Sequence, residues 1–143
     1  MDVSPTIQNP HGRIFVHIGA DPIAGAEVSI TVPDRRRWKI HSIRFSLVTD
    51  STELDRTIAL LFDDGANTFL AAASPTVQPE STTKHYYFSC IGAPEINPLL
   101  LSLNPIPCIS LAAGFRMITG TTNIQDGDNY GAPILLIEEW IDP

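Results

Sequence analysis

Cysteine is almost missing from this sequence. Two residues, Cys90 and Cys108, stand alone among 143. Without a C-x-x-C pair they form neither the framework of a disulfide-rich module nor the spacing of a zinc ribbon. The opening Met1-Asp2-Val3-Ser4-Pro5 shows no basic segment followed by an apolar one, so no secretory signal is expected and the cytoplasm is the expected compartment. There both cysteines are expected to be free thiols, buried as small hydrophobes. No apolar run approaches the roughly 18 residues that cross a bilayer as a helix. Basic residues are scarce, nine against sixteen acidic, and the net charge of −7 argues against nucleic acid and anionic membranes as partners. G-x-G-x-x-G, the P-loop and G-x-S-x-G are all missing.

What the chain does have is punctuation: twelve prolines and nine glycines, in a composition 43% hydrophobic and 17% charged. Those proportions belong to a globular chain, and 143 residues fit one domain. Proline at this density breaks long helices and leaves short strands. Val28, Ile30 and Val32 alternate with Glu27, Ser29 and Thr31 in a strand over 26–32, and Ile14, Val16 and Ile18 alternate with Arg13, Phe15 and His17 in another over 13–20. Between Trp38 and Val48 the apolar parity switches, from Trp38 and Ile40 to Ile43, Phe45 and Leu47. A period of two allows that only with an extra residue, so a bulge is expected near His41-Ser42.

Residues 52–62 fit a helix through Leu54, Ile58 and Leu61, or a strand through Ile58, Leu60 and Phe62. The turn signal Asp63-Asp64-Gly65 favours a hairpin returning over 66–73. Further strands are expected over 82–90, with Tyr86, Phe88 and Cys90 on one face, and over 115–119. A short edge strand is expected within the proline-rich 92–107, and a central, doubly apolar strand over 134–141. Eight or nine short strands without a helix imply an all-β fold, an antiparallel two-sheet sandwich of jelly-roll type over 13–143, preceded by an extended N-terminal arm over 1–12.

Jelly rolls include metal-dependent cupins, but His11, His17, His41 and His85 are scattered singly and no H-x-H occurs, so neither a metal nor any other cofactor is expected. Asp63-Asp64-Gly65 and Asp126-Gly127-Asp128 read first as turns and second as partial calcium loops. Glu138 and Glu139 are adjacent on a strand, point to opposite faces and cannot work as a glycosidase pair. The triplet Arg35-Arg36-Arg37 holds a third of the basic charge. It reads as a solvated approach to a strand or as a docking contact for carboxylates, with Arg35 and Arg37 on one face and Arg36 on the other.

Ile30-Thr31-Val32-Pro33 with Arg37-Trp38-Lys39-Ile40-His41-Ser42-Ile43-Arg44, then Asp55-Arg56-Thr57-Ile58-Ala59-Leu60-Leu61-Phe62-Asp63, resembles a pattern of small structural proteins of tailed bacteriophages. In those chains a Trp-centred strand pair precedes an R-x-x-x-L-x-x-D strand. Leu111-Ala112-Ala113-Gly114-Phe115-Arg116-Met117 and the loop with Asp126 and Asp128 resemble the same chains' closing half, and the likeness covers roughly residues 26–141. It departs at Asp34-Arg35-Arg36, where the pattern has a glycine turn. The resemblance implies a jelly-roll capsid decoration, or cement, protein, non-enzymatic, assembled in the host cytoplasm onto the virion exterior. Its implied partners are the major capsid protein and further copies of itself as a dimer or trimer. Ile7 and Pro10 of the arm, with Arg35, Arg36 and Arg37, are the expected interface residues. The alternative is a carbohydrate- or receptor-binding sandwich of a tail or fibre, with Tyr86, Tyr87 and Trp140 as candidate stacking rings.

Overall fold

A computed structural model describes residues 12–90, 95–97 and 101–142; the arm expected over 1–12, with Ile7 and Pro10, lies outside the described residues except for Gly12. Twelve strands are present among the described residues: β1 (Arg13–Ile18), β2 (Ser29–Thr31), β3 (Arg36–Val48), β4 (Ile58–Asp63), β5 (Thr68–Ala73), β6 (Thr83–Ser89), β7 (Glu95–Asn97), β8 (Leu101–Pro105), β9 (Ser110–Leu111), β10 (Arg116–Thr121), β11 (Asn129–Tyr130) and β12 (Ile134–Ile141). One sheet runs β1-β12-β3-β6-β8-β7, with β9 and β11 also paired to β3. The other runs β2-β10-β4-β5.

Eight of these strands make the expected jelly roll. Taken in chain order, β1, β2, β3, β4, β5, β6, β10 and β12 switch sheets at every connection except the β4–β5 hairpin. That is the double Greek-key wrapping of the fold. The additional strands are short, and β8 lies parallel to β6, with Tyr86 opposite Ser102. The single edge strand expected within 92–107 is therefore two strands, β7 and β8. Residues 52–62 resolve as strand only from Ile58 onward.

The core lies where the two sheets face each other. Trp38, Ile40, Ile43, Phe45 and Leu47 from β3 meet Ile58, Leu60 and Phe62 from β4, Met117 from β10 and Leu135 and Ile137 from β12. β3 keeps both of its apolar runs inward by the expected bulge. Leu136 pairs with Ser42 and Ile137 with Ile40, so His41 is the extra residue.

In β1 the aliphatic residues are not the inward-facing ones. Phe15 and His17 lie opposite Ile137 and Leu135, two inward residues of β12. Register therefore turns Phe15 and His17 toward the interior, and His17 packs on Trp38 at a ring separation of 5.1 Å. Ile14, Val16 and Ile18 are left outside, 59%, 61% and 65% exposed.

The cysteines also differ from expectation. Cys90 and Cys108 are joined by a disulfide, with Cα atoms 4.9 Å apart. The parallel β6–β8 register sets Ser89 opposite Pro105, and Ile106 N donates to Ser89 O at 2.9 Å. The chain leaving β6 and the chain leaving β8 thus run side by side, which brings the cysteines together. Sequence separation and compartment carry no information about that alignment.

Candidate functional site

The charged residues of the R-x-x-x-L-x-x-D strand are internal struts. Arg56 is fully buried and donates from Nε to Asp128 Oδ2 at 3.0 Å and from Nη2 to Asp128 Oδ1 at 2.9 Å. Its Nη2 also reaches Asp50 at 2.7 Å, and Nη1 donates to Thr52 O and Leu54 O. Burial pushes the Asp128 carboxyl up, but the Arg56 guanidinium and the amides of Asp50 and Gln125 outweigh it and hold the group below its ordinary value. The Asp128 carboxylate is thus taken up by an internal guanidinium and two backbone amides.

At the other end of β4, Arg116 donates to both Asp63 oxygens, at 2.8 and 3.0 Å, and its guanidinium holds the Asp63 carboxyl below the usual range. Asp63 and Asp64 also accept the amides of Gly65, Ala66 and Asn67, as turn residues do. Leu60 lies between the two ion pairs in the core. These motif residues tie the strands of the roll to one another.

Lys84 is the buried cation with the least support. It projects inward from β6, donates to Thr76 Oγ1 and approaches the Tyr86 ring at 5.5 Å. Burial pushes its amine below the ordinary lysine range.

The arginine triplet is split by the fold. Arg35 lies before β3 with φ 58°, the left-handed conformation that a glycine would adopt without strain, so a turn geometry suited to glycine persists with arginine in that place. Arg36 pairs with Glu139 at 3.5 Å, and the same carboxylate accepts Trp38 Nε1 at 2.8 Å. Arg37 is exposed, 3.9 Å from Asp142 and 5.4 Å from the Trp140 ring. The expected shared face for Arg35 and Arg37 is therefore corrected: Arg35 belongs to a turn, and strand alternation does not reach it. Among the described residues Arg35 makes no ion pair, which makes it the available cation of this corner.

The outer face of the larger sheet is the main candidate surface. Strand register aligns Val16 with Leu136 and Ser42, and Ile18 with Ile134, Arg44, Tyr87 and Leu103. Ile14, Val16, Ile18 and Leu136 form an exposed aliphatic stripe at one edge. Toward the sheet's centre lies a groove of about 170 Å3 lined by Arg44, Ser46, His85, Tyr87, Ala132 and Ile134. Glu138, on the same face, accepts the Gly12 amide and lies 3.2 Å from His41. Glu139 is turned the other way, as expected for adjacent strand residues. Of the three expected stacking rings, Tyr86 is fully buried and donates to Gln78, which removes it as a platform. Tyr87 borders the groove, and Trp140 stands beside Arg37. The aliphatic stripe was missed as a site because alternation defines two faces without saying which is wet.

No protein-family model matches the chain, and no curated protein matches its sequence. Among solved structures it is similar to one described as the structure of infectious bursal disease virus Gx strain, at 11% identity and a TM-score of 0.42, over 88% of this chain and 32% of that one. It is similar to the structure of PfGH50B at 10% identity and a TM-score of 0.35, over 92% and 23%. A third is the exo-beta-1,3-galactanase Pc1,3Gal43A from Phanerochaete chrysosporium, at 16% identity and a TM-score of 0.25, over 91% and 26%. The chain spans about a third or less of each of these proteins.

Proposed function

We propose that this chain is a non-enzymatic virion structural protein, a jelly-roll decoration protein that binds the outside of a tailed-phage head and ties major capsid subunits together. The observation that carries the reading is the aliphatic stripe of Ile14, Val16, Ile18 and Leu136, because contiguous exposed apolar surface marks protein contact. The motif resemblance supplies the kind of particle. In this reading the Arg35 corner meets carboxylates of the shell, and Ile7 and Pro10 of the arm belong to the same contact. A clip that binds only the assembled lattice stabilises that lattice by mass action.

Mass spectrometry of purified particles, counting copies of this chain per particle, tests the reading. Copies in the hundreds, released together by mild denaturant, are expected of a decoration protein. Absence from the particle overturns the proposal. The groove beside Tyr87 supports the second reading, a carbohydrate-binding sandwich of a tail or fibre. Saturable glycan binding lost in Tyr87→Ala would favour it.

A further inference from the structure

The face and the edge of β1 carry the same message. Gly19 N donates to Pro133 O at 2.8 Å, one step beyond the Ile18–Ile134 pair. In an antiparallel ladder alternate residues bond the same neighbour, so the odd-numbered residues of β1 bond β12. The N–H and C=O groups of Ile14, Val16 and Ile18 then point to the opposite edge, where no strand pairs among the described residues. β1 contains no proline, and its register with β12 shows no bulge. Open sheet edges are ordinarily blunted by such devices or by inward charge, because an unprotected edge templates pairing with another chain. The edges of the smaller sheet offer less: β2 has three residues, and β5 ends in Ala71-Ala72-Ala73.

We infer that β1 pairs antiparallel with β1 of a second copy about a two-fold axis at Val16, joining two eight-stranded sheets edge to edge. The strand is self-complementary in that register: Ile14 meets Ile18, Val16 meets Val16, and two aliphatic stripes fuse into one. Charge fits as well. Arg13 lies over the Phe15 ring at 4.4 Å, and neither Arg13 nor Asp21 makes an ion pair among the described residues. The two-fold places Arg13 of each copy opposite Gly19 of the other, two residues from Asp21. A two-fold contact of this kind is isologous, the commonest route to a homodimer. This inference rests on reading the stripe as a protein contact and is independent of any particle.

Sedimentation velocity of the full chain and its variants tests it. The parent is expected to be a dimer at about 100 µM, and Val16→Lys, which sets two cations against each other across the axis, is expected to weaken dimerisation at least tenfold. Val16 is exposed in the single chain, so at concentrations below the dimerisation range Val16→Lys should leave the thermal midpoint of the fold in place. As a second variant, Val16→Cys is expected to form a disulfide-linked dimer under mild oxidation, since hydrogen-bonded antiparallel pairs hold Cα atoms about 5.5 Å apart, within disulfide reach. Ile23→Cys, more exposed than Val16 and off the strand, is the control. A monomeric parent, a dimer indifferent to Val16→Lys, or equal cross-linking of both cysteine variants would overturn the inference. A monomer that pairs only with another protein, or whose edge is covered by its own first eleven residues, has the same consequence. Copy number on particles is a separate measurement, so the two proposals fail separately.

Discussion

Asp128→Asn tests whether the buried Arg56–Asp128 pair holds the roll together. Both side chains are 0% exposed, and asparagine keeps the shape while removing the charge. Asp128 Oδ1 accepts Arg56 Nη2 and the Asp50 amide, and Oδ2 accepts Arg56 Nε and the Gln125 amide. In the variant an NH2 replaces one of these oxygens, and the Arg56 guanidinium keeps only Asp50 as a carboxylate partner. Breaking a buried pair from one side costs about 3–5 kcal/mol, and an orphaned buried amide adds about 1–3 kcal/mol. Asp50, at 27% exposure and 2.7 Å from Nη2, offsets part of this. The expected loss is about 4 kcal/mol, a large share of the roughly 5–15 kcal/mol typical of a domain.

Urea unfolding followed by tryptophan fluorescence reads that loss as a midpoint about 2 M lower, for a slope near 2 kcal/mol per M. The pH dependence checks the cause. Because the Asp128 carboxyl lies below its ordinary value in the fold, its stabilisation is complete above the unfolded value of about 3.9 and disappears as pH falls through the lower folded value. The asparagine of the variant does not titrate there, so the gap between parent and variant narrows below about pH 4. A midpoint shift under about 0.5 M at pH 7, or a gap constant down to pH 2, refutes the reasoning.

In thermal melts Arg35→Gly is expected to gain about 0.5–1 kcal/mol and Arg35→Val to lose about 1, because φ 58° strains any side chain, and a β-branched one most; a destabilised glycine variant contradicts this. Replacing Cys90 and Cys108 together by serine is expected to cost about 3 kcal/mol through the freed loop between residues 18 apart. Alkylation of the unfolded, unreduced parent should label neither cysteine, and labelling of both would remove the disulfide from the account. Lys84→Met is expected to stabilise by about 1–3 kcal/mol at pH 7. An amine depressed in the fold loses its proton at lower pH than in the unfolded chain, so parental stability climbs as pH rises toward the unfolded value of about 10.4. The advantage of methionine should shrink over the same range, and an advantage independent of pH contradicts the mechanism.

Period and punctuation made most of the fold legible. The parity switch between Ile40 and Ile43 required one extra residue, and His41 is that residue. Asp63-Asp64-Gly65 closes the β4–β5 hairpin, with Gly65 at φ 99°. Local pattern does not encode which partner a strand meets. That Phe15, and not Val16, faces the core is settled by register with β12, and the parallel β6–β8 pairing that aligns the cysteines is a long-range choice. The arginine triplet was visible as charge, but its division among a turn, an ion pair to Glu139 and an exposed corner depends on where β3 begins and on β12 beside it. Arg56 and Asp63 could be singled out from the R-x-x-x-L-x-x-D strand, while their partners Asp128 and Arg116 lie 72 and 53 residues away.

The proposed role, stabilising a capsid by binding its outside, is read from the thermal release of the genome from particles stripped of the chain, before and after the purified protein is added back. The account predicts a lower release temperature for stripped particles and full recovery at saturating protein, with weaker recovery by Arg35→Ala. Identical release temperatures with and without the chain, at proven depletion, would contradict it.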